Sequence, residues 1–155
     1  MRILGAYIVI AGITGNVEII QSVDGAVVHR QIVRNLVVDA GLNLIRDRLA
    51  GTSSLYVTHL AVGTSATAAS AAQTTMVAEV FRNSLTETIA STSKQVQFKY
   101  YLSASEANGN TLREIGLFTA SSGGTMVARA VLASPILKNS STTVTFSWTL
   151  NLSAT

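Results

Sequence analysis

Cysteine is absent, proline and tryptophan occur once each, and only 12% of the 155 residues are charged, against roughly 25% in an average soluble domain. Without cysteine there is neither a disulfide framework nor a thiolate metal site. With so little charge, the abundant Ala, Ser and Thr give a weakly charged, hydroxyl-rich surface. Such a surface suits lasting contact with neighbouring copies or partner proteins better than isolation in solution. The apolar stretch from Ile3 to Ile13, behind Met1-Arg2, falls short of the ~20 residues that a membrane helix needs. It reads as a strand in preference to a secretory signal.

The sequence also lacks the usual marks of catalysis and of nucleic-acid binding. Its pI of 9.6 reflects a net charge of only +3, with eleven Lys and Arg scattered from Arg2 to Lys138. A nucleic-acid interface would gather them in a stripe, interleaved with stacking aromatics, because affinity grows with the phosphates neutralised. No nucleic-acid, membrane or small-molecule partner is therefore expected. There is no G-x-S-x-G elbow, no G-x-x-x-x-G-K-[ST] loop and no G-x-G-x-x-G turn. His29 and His59 lie on separate strands without a metal-ligand neighbour at helical or hairpin spacing, and read as hydrogen-bonded structural histidines. Asp24, Asp39 and Asp47 are accounted for by a turn, a helix cap and a solvated helix face. No catalytic residue, cofactor or metal is expected, and the chain does not read as an enzyme.

Period-two patterning dominates what is present. Thr143 to Ser153 sets Val144, Phe146, Trp148, Leu150 and Leu152 on one face and Thr145, Ser147, Thr149 and Asn151 on the other. Val96, Phe98, Tyr100 and Leu102 share a face in the same way. Phe98, Tyr100, Ile115, Phe146, Trp148 and Leu150 are the expected core. Near the N-terminus, Ile3 to Ile13, Val17 to Gln21 and Ala26 to Leu36 read as a three-stranded meander. Thr14-Gly15-Asn16 is its first turn, and Asp24-Gly25 is a type I′ hairpin turn. Both faces of Ala26 to Leu36 mix apolar and polar residues, so this meander is expected to be covered in part by another element or subunit.

Asp39 reads as the N-cap of one short helix, over about residues 40 to 50, with Leu42, Ile45 and Leu49 as its apolar stripe. Leu55 to Val62, Met76 to Phe81 and Ser84 to Ala90 read as further strands. Between them, Thr64 to Ala72 is small-residue sequence expected to be a loop, because it carries no large apolar stripe. Pro135 is expected to interrupt the segment from Ala133 to Leu137. The sum is about eight to ten strands and one short α-helix, a mainly β chain forming an antiparallel β-sandwich or barrel-like sheet. Its length fits one domain, residues 1–155, with residues 1–34 as an N-terminal docking or meander region.

One hairpin carries charge in apolar company. Leu112 to Phe118 is answered, after Ser121-Ser122-Gly123-Gly124, by Met126 to Val131, and its only charges are Arg113, Glu114 and Arg129. A buried carboxylate is costly unless paired, so Glu114 is expected to form a structural ion pair with Arg129 or with Arg82.

The order of these segments resembles the N-terminal domain of phage tail-collar fibre proteins and related phage tail proteins. The resemblance is carried by Asn35-Leu36-Val37-Val38-Asp39-Ala40-Gly41-Leu42, Ala61-Val62-Gly63, Glu79-Val80-Phe81-Arg82, Arg113-Glu114-Ile115-Gly116-Leu117-Phe118 and Met126-Val127-Ala128-Arg129, over roughly residues 33 to 152. It implies a virion structural protein, usually a homotrimer or symmetric ring that joins fibres to a tail or baseplate. Fibre proteins continue into a shaft and tip that this sequence lacks, which points to attachment or adaptor roles instead of receptor binding. Expected interface residues are Tyr7 and Ile19 in the first meander and Thr64, Ser65, Ala66, Thr67, Ala68, Ala69 and Ser70 in the small-residue loop. The alternative within the same class is a capsid decoration protein sitting on the head lattice as trimers. The alternative from another class is a carbohydrate-binding β-sandwich stacking sugars on Trp148, Tyr56, Tyr100 and Tyr101.

Overall fold

A computed structural model describes residues 12–91 and 93–152. In chain order the described elements are β1 (Ile13–Val23), β2 (Ala26–Val37), α1 (Asp39–Leu49), β3 (His59–Gly63), β4 (Glu79–Ser84), β5 (Glu87–Ala90), β6 (Gln95–Leu102), β7 (Thr111–Phe118), β8 (Met126–Leu137) and β9 (Thr142–Leu152). The nine strands form one antiparallel sheet in the order β4-β3-β7-β8-β2-β1-β9-β6-β5, curled into a half-barrel. The chain is thus mainly β with one short helix, as its patterning implies.

Two devices curl the sheet. β2 pairs with β1 as far as Arg34, then turns away and pairs with β8 through Asn35, Leu36 and Val37. At the opposite corner only Leu85 and Thr86 separate β4, at one edge of the sheet, from β5 at the other. Strands that pass from one half of a sheet to the other are the usual way to build such corners.

The interior follows the two-residue period. Phe98, Trp148 and Val17 stand side by side across β6, β9 and β1, and Tyr100, Phe146 and Ile19 form the next row. All six are buried, as are Ile115 and Leu150. Tyr100 and Phe146 stack with ring centroids 6.4 Å apart. The alternating face of β9 is the inner wall of the half-barrel, and Thr143, Thr145, Ser147 and Thr149 face the outside.

Several local expectations are corrected. Thr14-Gly15-Asn16 is no turn: it lies within β1, where Asn16 pairs with both Arg34 and Thr149. A glycine and two polar residues continue a strand here because β9 supplies a ladder to all three, and β2 joins from Asn16 on. The preceding Ile3 to Ala11 lies outside the described residues. Asp24-Gly25 does form the hairpin tip, both residues having positive φ.

The helix is rotated from the expected stripe. Its buried face is Gly41 and Leu44, while Leu42 is exposed and Leu49 is 86% exposed. Gly41 decides this, because it sits against the Val127 backbone of β8 so closely that no Cβ fits. The N-cap position is Val38, without a side-chain cap, and Asp39 is the first helical residue, its N–H donating to the Ala71 carbonyl. Leu55 and Tyr56 are exposed and precede β3, which starts only at His59.

Pro135 does not end β8, which runs on to Leu137. It is tolerated because β8 meets the β2 backbone only from Ala128 to Ala130, leaving Pro135 free of that ladder. Next to it the Gln31 side chain bridges the gap, donating to the Ser134 carbonyl at 2.9 Å and accepting from the Ser134 N–H at 2.9 Å.

Candidate functional site

In β7 the side chains of Leu112, Ile115 and Leu117 enter the main core, a bulge between Leu112 and Glu114 having changed the parity of the strand. Phe118 joins a second, smaller cluster with Val38, Ala61, Met76 and Met126. The sheet formed by β3, β7 and β8 is therefore covered on both sides, which explains strands that are apolar throughout. The segment from Thr64 to Ala78, between β3 and β4, helps to cover this second cluster: its Met76 is buried and lies against Gly116 and Phe118 in position.

Glu114 and Arg129 fasten that segment. In the β7–β8 register Glu114 opposes Val131 and Arg129 opposes Gly116, so the two are diagonal neighbours on one face. Both are 0% exposed, and Arg129 Nε donates to Glu114 Oε2 at 2.8 Å. Glu114 Oε1 also accepts from the N–H of Ala78 at 2.6 Å and of Ser65 at 3.4 Å, and Oε2 from the N–H of Val77 at 3.2 Å. Arg129 Nη2 donates to the Thr67 carbonyl at 2.8 Å, and Nη1 to Gln73 Oε1 at 3.3 Å. One carboxylate thus holds both ends of the loop while one guanidinium holds its middle. Gly63, beside the carboxylate, leaves no room for a Cβ between Glu114 and the Ala78 carbonyl.

Arg82 is not a partner of Glu114. Its guanidinium makes a two-pronged pair with Glu79, at 2.8 and 2.6 Å, and donates to the carbonyls of Ala120 and Gly123. It also lies 3.5 Å over the Phe118 ring, a cation–π contact. The reason is topological: β4 carries Glu79 and Arg82 at the sheet edge, beyond β3, and the Gly123-Gly124 turn is within reach there.

Of the expected interface residues, Ala66, Thr67, Ala68 and Ser70 are exposed on the loop and Thr64, Ser65 and Ala69 are half-buried. Ile19 is corrected: it is buried beside Phe146 and presents nothing to a partner. Tyr7 lies outside the described residues. Trp148 and Tyr100 are core residues and offer no face for a sugar, whereas Tyr56 and Tyr101 are exposed.

A second polar knot was not legible in the sequence. Lys138 is fully buried at the end of β8, its Nζ donating to Asn108 Oδ1 at 2.8 Å and to the carbonyls of Asn139 and Ala104. Burial pulls its pKa down, an effect the Glu106 carboxylate opposes. Glu106 accepts from Ser103 N–H, Asn83 Nδ2 and Tyr100 Oη. Burial alone would raise its pKa, but these donors outweigh it and hold the carboxyl below the ordinary range. Tyr100 is pushed up, first by burial and then by Glu106. His59 contacts Thr58 Oγ1 at 2.7 Å and Ser84 Oγ at 3.3 Å, and burial, then Arg82, lowers its pKa. His29 departs from expectation, its buried Nε2 lacking a hydrogen-bond partner among the described residues.

Among the described residues no group of three or more His, Asp or Glu is placed to hold a metal ion, and no helix is long and apolar enough to cross a membrane. The chain matches no protein-family model, no curated protein and no solved structure.

Proposed function

We propose that this chain is a bacteriophage virion structural protein, a tail- or baseplate-associated attachment module that works as a symmetric homo-oligomer. The observation that carries the reading is the clamp. In the segment resembling the tail-collar motif, each oxygen of Glu114 is occupied by donors and each guanidinium nitrogen of Arg129 donates to the frame. Such a carboxylate has no lone pair free for proton transfer, and its effect is to present a small-residue loop in one fixed shape. Fixed, weakly charged surfaces of Ala, Ser and Thr are suited to symmetric contact between copies. Exposed apolar residues on the outer face, such as Ile32 at 69%, support the same reading.

The test has two arms. Light scattering on the purified protein is expected to give a closed oligomer, and mass spectrometry of purified particles is expected to find the chain in the tail fraction at low copy number. A monomer at all concentrations, together with absence from particles, overturns the proposal. Copy numbers on the order of hundreds would place it on the head lattice instead.

A further inference from the structure

Among the described residues, α1 and the segment after it face β6 and β9 across an opening in the half-barrel. The opening is a cleft of about 360 Å³ walled by Leu44, Val57, Val96, Phe98 and Leu150. Its rim carries exposed apolar side chains: Leu49, Leu55, Tyr56 and Leu152. Arg48 is the one charged residue among those that line it. Apart from Arg48 and Thr88 its walls are apolar and offer water few hydrogen bonds, so displacing that water with apolar side chains is favourable. The cleft is therefore built for an apolar occupant.

The sequence itself contains a matching one. Ile13 lies on the cleft wall and pairs with Leu152 at the end of β9. The residues that precede it, Met1 to Ala11, include Ile3, Leu4, Tyr7, Ile8, Val9 and Ile10, and Arg2 is their only charge. β1 pairs antiparallel with β9, Ile13 opposite Leu152, so the start of β1 and the end of β9 meet at the cleft. Eleven residues reach at most ~35–40 Å from there, enough to cross to an adjacent molecule. We propose that the cleft receives the apolar side chains of residues 3–10 from a second copy, so that copies are joined in the oligomer by exchange of their N-terminal segments. This rests on the oligomeric reading above and names the contact that forms it.

Because the chain has no cysteine, single engineered thiols report the contact cleanly. One chain carries Ile8→Cys and another, distinguishable by a tag, carries Leu49→Cys; the two are co-expressed and oxidised. Leu49 is 86% exposed, so its replacement leaves the packing intact, and thermal unfolding of each variant verifies this. The expected product is a disulfide-linked dimer containing one chain of each kind. As a control, Ile8→Cys and Leu49→Cys are combined in one chain. An internally closed monomer from that chain, with no mixed dimer from the pair, shows that the segment fills its own cleft and overturns the inference. Absence of any cross-link while light scattering still reports an oligomer also overturns it, and leaves the proposed function standing. A monomer at all concentrations would overturn the inference and, together with absence from particles, the proposed function as well.

Discussion

A carboxylate and a guanidinium that are both sealed from water interact strongly only while each is fully hydrogen-bonded, and Glu114 and Arg129 meet that condition with backbone partners drawn from one loop. Glu114→Ala leaves the buried Arg129 without its counter-charge, and Arg129 Nε and three backbone N–H groups without their acceptor. It is expected to lower stability by about 3 to 5 kcal/mol, read as a shift in the denaturant midpoint. An unchanged midpoint would show that water replaces the carboxylate. Glu106 gives a pH-dependent counterpart. Its folded-state pKa lies below the ordinary value of 4.5. Its contribution is therefore complete above that value and is lost as pH falls through the folded pKa. Glu106→Gln should be less stable than the parent chain at neutral pH, and the two should converge in acid. Denaturant titrations from about pH 7 to about pH 3 test this, and a constant gap would refute it.

At the scale of elements, the loop between β3 and β4 has no hydrogen-bonded ladder of its own and depends on side chains from below. Arg129→Lys keeps a charge beside Glu114 but cannot also reach both the Thr67 carbonyl and Gln73 from the opposite prongs of a fork. The expected result is a loss of about 1 to 3 kcal/mol, with faster amide exchange concentrated between Thr64 and Ala78. Protection lost evenly over the sheet would mean that the pair holds the hairpin together and not the loop. The hairpin and its need for a charge partner were legible in the sequence, because a Glu amid Leu, Ile and Phe is anomalous in any fold. The loop's attachment to that pair was not, since it depends on residues 36 to 62 positions apart meeting in space. Helix rotation was missed for a related reason. Counting apolar residues favours Leu42 and Leu49, whereas the contact is set by the absence of a side chain at Gly41.

Across the whole molecule, neighbours in the sheet are far apart in the chain: β1 pairs with β9, β2 with β8 and β3 with β7. Closing these loops before their contacts form is entropically slow, so refolding is expected on the ms–s timescale typical of such topologies. Trp148, the single tryptophan and wholly buried, provides the stopped-flow signal. A microsecond phase carrying the full amplitude would contradict the topology. The apolar cleft also belongs to this scale, because its walls come from the helix, the segment after it and five strands. No single stretch of sequence announces it.

Composition and period alone determined that the described chain is mainly antiparallel β with one short helix, that β9 is a core strand, and that Phe98, Tyr100, Phe146 and Trp148 lie inside. Alternation of apolar and polar side chains leaves a strand no other way to bury one face. Only the tertiary structure decided which cation Glu114 takes, where Lys138 and Glu106 sit, which face of the helix is buried, and that an apolar cleft lies between the helix and the strands among the described residues. Those outcomes depend on which strands become neighbours when the sheet curls, and that order is set by long-range packing that no local pattern encodes.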